Sequence, residues 1–108
     1  MDASNKRVFE QQPAYEALAR LLEIAQRDTG QARRVANFLL AWHNAAENGG
    51  WDPTDLWNVD IAIAADMLLV LELIRARHTY PDGMGFESEI RRVWRRWREE
   101  LQTGSQAH

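Results

Sequence analysis

The chain reads as an all-α protein, a single-domain bundle of about four helices with one central buried helix. Three observations predict this. Apolar residues recur at spacings of three and four over long segments. No stretch alternates with the period of two that a half-buried strand requires. Gly, Pro, Asn and Asp cluster at a few places only, where they divide the sequence into segments of helical length. At 108 residues the chain has room for one compact domain.

Residues 1–12, MDASNKRVFEQQ, keep no sustained period and are expected to form an irregular N-terminal arm. The helical domain is expected over 13–102. Pro13 fits a first helical position, where its missing N–H goes unnoticed. Tyr15, Leu18, Leu22 and Ala25, with Leu21 beside them, make one apolar face from 13 to 28. Glu16/Arg20 and Glu23/Arg27 supply acid-before-base pairs on the other face.

Thr29 is the expected N-cap of a second helix over 31–48, whose stripe is Val35, Phe38, Leu39, Trp42 and Ala46. Asn48, Gly49 and Gly50 close it, since Asn and Gly accept the left-handed conformation that ends many helices.

The segment WDPTDLWNVD opens a new helical turn: Asp52 stands where it can cap, and Asp55 lies in the favourable first turn. Two outcomes stay open, one helix over 53–77 or a break near Asn58 with Asp60 as a fresh N-cap. The run IAIAADMLLVLELI is apolar on nearly every side, so it is expected to be the buried central helix. Asp66 interrupts it and would need a basic partner from another helix or a second subunit. Pro81, Gly83 and Gly85 make HTYPDGMGF a turn-rich connection. Ile90, Val93, Trp94, Trp97 and Leu101 mark a last amphipathic helix over 86–102, followed by a frayed tail over 103–108.

Composition removes several classes of chemistry. With no cysteine there is no disulfide, thiolate nucleophile or cysteine-bound metal, which fits a cytoplasmic protein. The longest apolar runs fall far short of the ~20 residues that span a bilayer, so no membrane partner is expected. No nucleophile elbow, phosphate loop, zinc-protease motif or dinucleotide fingerprint is present, and a non-catalytic role without cofactor is the expectation. His43 and Glu47 lie one helical turn apart and, with Asp55 and Asp60, make a candidate polar cluster. Two helical ligands do not specify a metal, and none is expected.

Arg91, Arg95 and Arg98 fall at i, i+4 and i+7 on the last helix and are candidates for partner contact. Sixteen acids against thirteen bases, and glutamates interspersed with these arginines, disfavour nucleic acid without excluding it. Trp42, Trp94 and Trp97 sit on core stripes. Trp51 and Trp57 flank the capped turn and are the better candidates for a binding surface, where Trp and Arg are enriched.

The segment FLLAWHNAAENGGWDPTDLWNVD, with the helix that follows through IRARHTYPD, resembles a small proteobacterial domain of unknown function often found in mobile-element neighbourhoods. The resemblance covers residues 31–98. It implies no established activity and brings no catalytic residues. What it adds is a setting suited to an accessory protein. The functional expectation is a small helical protein–protein interaction or accessory protein, able to act as a homodimer. Nucleic-acid binding through the Arg-rich last helix is the alternative.

Overall fold

The computed structural model describes residues 3–99 and is all-α, with no strand among the described residues. Helix α1 spans Ala3–Ile24, α2 Gly30–Asn48, α3 Ile61–Arg77 and α4 Glu87–Trp94; short 3-10 turns occupy Pro53–Asn58 and Pro81–Met84, and a wider π-type turn, Arg95–Glu99, extends α4. The tail expected over 103–108 lies outside the described residues, as do positions 100–102 of the last helix.

Helix α1 begins ten residues before Pro13 and carries the proline inside it, which corrects the expectation of an irregular arm. An internal proline costs one backbone hydrogen bond and a local clash, a local penalty that does not forbid a helix on its N-terminal side. Lys, Arg, Glu and Gln are good helix formers, and they fill much of that stretch.

The core is made by α1, which packs against all three other helices. Its Ala14, Ala17, Leu18, Leu21 and Leu22 are buried, as is Ala25 just after its end, and the alanines let neighbouring helices approach closely. Leu39 and Leu40 from α2, Met67 and Leu73 from α3 and Ile90 from α4 are among the residues that join them in the buried cluster.

Helix α2 starts as its sequence indicates: the Thr29 hydroxyl accepts the Ala32 N–H at 3.0 Å. It is not continuous, because Asn44 adopts φ −165°, ψ 87°. The Asn44 carboxamide oxygen accepts the Glu47 N–H and so recaps the final turn. Buried Asn48 donates to the Leu40 carbonyl at 3.1 Å, across the break. Gly49 then leaves the helix at φ 90°, ψ 166°, backbone that a Cβ would strongly disfavour.

Residues 53–77 form two elements. Asp52 caps the first 3-10 turn, its carboxylate accepting both the Thr54 N–H and the Thr54 hydroxyl at 2.9 Å. The chain extends at Val59 and Asp60 before α3 begins. Asp60 stands at the N-cap position of α3 without a side-chain cap bond.

Helix α3 is not buried on every side. It lies principally against α1, covering Ile63, Met67, Val70 and Leu73. Ile61 is 91% exposed, Leu68 56% and Leu69 38%. A helix that is apolar all round has no period to say which side is covered, and here the bundle supplies neighbours for one side only.

Candidate interaction surface

The exposed side of α3 is a continuous arc. At 100° per residue, Ile61, Ala62, Ala65, Leu68, Leu69, Glu72, Arg75 and Ala76 fall within about 140° of the helix circumference, and all eight are exposed. Six are apolar. The two charged residues sit toward the C-terminal end and answer each other, Arg75 Nε donating to Glu72 at 2.9 and 3.0 Å. That pairing holds the Glu72 carboxyl below its ordinary value and the Arg75 guanidinium above its own. The patch is therefore apolar in its N-terminal half and electrically balanced overall. Four residues before Ile61 in the chain stands Trp57, 81% exposed on the turn capped by Asp52.

The buried side of the same helix is fixed by charge as well as by packing. Arg20 on α1 donates from Nε to Oδ2 and from Nη2 to Oδ1 of Asp66, each at 2.9 Å. Arg20 therefore forms its ion pair not with Glu16 one turn earlier, as its spacing implied, but with Asp66, the acid whose partner the sequence left unnamed.

The other predicted site residues separate into three places. Trp51 is half-buried, edge-on to Phe38 with ring centroids 4.9 Å apart, and its indole N–H is buried without a hydrogen-bond partner among the described residues. The candidate polar cluster divides. Asp55 accepts from Arg34 at 2.7 Å, and Asp60 is held by Gln31, whose Oε1 accepts the Asp60 N–H at 2.6 Å. Both acids thus tie the 53–60 segment to the first half of α2. His43 and Glu47 lie elsewhere, in a cleft of about 620 Å³ shared with Asp82, Glu87, Arg91 and Trp94. His43 Nδ1 is 3.9 Å from Asp82 Oδ1 and buried without a hydrogen bond. No metal-binding cluster occurs among the described residues.

Nor do the three arginines of the last helix act as one face. Arg91 is exposed and pairs with Glu87 at 2.7 Å. Arg95 is exposed. Arg98 is committed within the fold, with Nε donating to the Asn48 carbonyl at 3.0 Å, Nη2 to Asn37 Oδ1 at 2.5 Å and Nη1 to the Trp97 carbonyl at 3.0 Å. The π-type turn over Arg95–Glu99 carries more residues per turn than an α-helix, so the i, i+4, i+7 alignment does not survive it. Arg98 is a clamp between the end of α4 and the end of α2, so its donors are engaged within the fold and do not stand free on one face with Arg91 and Arg95. Trp97 locks the same region, its indole N–H donating to the Ala25 carbonyl at 2.6 Å, and Trp42 does so beside the 78–80 loop, donating to the Thr79 carbonyl at 3.0 Å.

A family model, a family of unknown function (DUF7673), matches residues 15–98. The chain belongs to that family. The match runs from Tyr15 on α1 to the Arg98 clamp, so this DUF7673 domain includes the buried core described above except Ala14. No curated protein and no solved structure matches the chain. No helix among the described residues is long and apolar enough to cross a membrane.

Proposed function

We propose that this DUF7673 protein is a small, non-catalytic interaction protein that pairs with a second copy of itself through the exposed side of α3. The observation that carries the reading is the arc from Ile61 to Leu69, which leaves three large apolar side chains in water on a helix whose other side is well packed. Exposed apolar patches of this kind mark contact surfaces. Its layout favours self-pairing. Ala62 and Ala65 lie between Ile61 at one end and Leu68 and Leu69 at the other, so an antiparallel copy crossing at Ala65 would set large side chains against small ones. The Glu72–Arg75 pair leaves no net charge at the end of the patch to repel its twin. Trp57 would then extend the contact beyond the helix. A cytoplasmic, proteobacterial accessory role in a mobile-element setting is the biological context that suits this reading.

Light scattering tests it. The purified protein should show about twice the 12.5 kDa of one chain. The double variant Ile61→Glu/Leu68→Glu, which alters exposed positions only, should be a monomer with unchanged helicity. A wild-type protein that stays monomeric at every accessible concentration, or a double variant that remains a dimer, overturns the proposal.

A further inference from the structure

A second surface carries an independent inference, since none of its residues comes from α3. Between α2 and the end of α4 lies an open cleft of about 1030 Å³, lined by Arg33, Arg95, Arg96 and Arg98 with Asp28 as its single acid among the described residues. Four arginines line it in a chain whose net charge is −3. The one acid does little to answer them: Asp28 is almost fully exposed and 3.8 Å from Arg96. No carboxylate pairs with Arg33 or Arg95 among the described residues.

Arg98 is the informative member. It is half-buried, and each of its bonds goes to a neutral acceptor: two backbone carbonyls and the Asn37 amide. Burial pulls its guanidinium below the ordinary arginine value, the mark of a desolvated charge without a counter-charge. A fold seldom keeps a partly buried cation unanswered, because desolvation is compensated only when an anion or a full set of hydrogen bonds is supplied. The Asn37 and Asn48 bonds hold this charge in a fixed position at the cleft. Arg96 is steadied by its position over the Trp97 ring, at 5.6 Å, and by donation to the Arg27 carbonyl at 3.3 Å. Arg33 and Arg95, exposed and without a carboxylate partner among the described residues, are the groups left to close on a ligand.

We propose that this cleft binds a phosphate-class oxyanion, held by Arg33 and Arg95 and oriented against the fixed charge of Arg98. Guanidinium groups suit it because their planar donor pairs match the oxygens of a phosphoryl group. The phosphate could be that of a small molecule or of a nucleic-acid backbone, and the experiment separates the two.

Calorimetric titrations with pyrophosphate, adenosine diphosphate and a short single-stranded thymidine oligonucleotide, at several salt concentrations, test the site. At least one should bind, and Arg33→Gln/Arg95→Gln should weaken that binding by about tenfold or more while leaving the melting temperature unchanged. Comparable binding of pyrophosphate and oligonucleotide assigns the site to a free or terminal phosphate. Much tighter binding of the oligonucleotide, falling steeply with salt, assigns it to a polynucleotide backbone. The proposal is overturned if none of the three binds, if the double variant binds as the wild type does, or if a polyglutamate peptide displaces pyrophosphate at equal concentration.

Discussion

Arg20 and Asp66, 46 residues apart in sequence, meet in a two-pronged ion pair that fixes the rotation of α3 on α1. The carboxylate is mostly covered, whereas the guanidinium remains half in solvent. Because the fork of the arginine matches both oxygens, the pair specifies geometry as well as attraction. Losing the arginine would leave a covered acid unanswered. Losing both groups would leave nothing uncompensated. Arg20→Ala and Asp66→Ala should therefore each lower the melting temperature, with the double variant losing less than the sum of the two. A strictly additive double-mutant cycle would show that the pair contributes no coupling.

Asp52 offers a pH test. Its carboxyl is held below the ordinary range, first by the Thr54 backbone N–H and then by the Thr54 hydroxyl. A carboxylate with a depressed folded-state value stabilises the protein at pH above its unfolded value, and this contribution is lost as pH falls through the folded one. Thermal melts of wild type and Asp52→Ala should thus differ at neutral pH and converge in acid, below the usual aspartate range. A difference that stays constant down to strong acid would show that the cap bonds do not depend on the charge.

Met67 and Leu68 are adjacent and should behave oppositely. Met67 is fully buried, so Met67→Ala should cost about 2–5 kcal/mol. Leu68 is more than half exposed in one copy, and at a concentration where the chain is monomeric Leu68→Ala should cost no more than about 0.5 kcal/mol. Chemical denaturation measures both; equal losses would mean that the exposed side of α3 is covered even in the monomer.

Gly49 isolates a backbone effect. A Cβ there would meet nothing within 4 Å, yet φ is +90°. Gly49→Ala should therefore cost about 1–3 kcal/mol through conformation alone, without any clash. A neutral result by denaturant titration would mean that the chain leaves α2 by another route.

The sequence determined by itself whatever a few neighbouring residues decide. The Thr29 cap, the Asp52 cap, the stop at Asn48–Gly50 and the α2 stripe through Val35, Phe38 and Leu39 are all local hydrogen bonds or a local period. The boundary at Asp60 was visible as one of two outcomes, because an aspartate before an apolar run caps a helix or merely precedes one. Tertiary structure decided the rest. The stretch before Pro13 lacks a period yet is helical, since the absence of an apolar stripe does not forbid a helix. The exposed side of α3 could not be read from a segment apolar on all sides, and only the placement of α1 chose which half to cover. Asp66 demanded a partner, but that Arg20 supplies it depends on how two helices far apart in the chain align. His43 and Glu47 kept their one-turn relation while Asp55 and Asp60 went to Arg34 and Gln31, because the tertiary path of the 53–60 segment, not spacing, chose their neighbours. Arg98 and Asn37, 61 positions apart, met because a π-type turn rotates the end of α4, a change of pitch that an i, i+4, i+7 pattern does not encode.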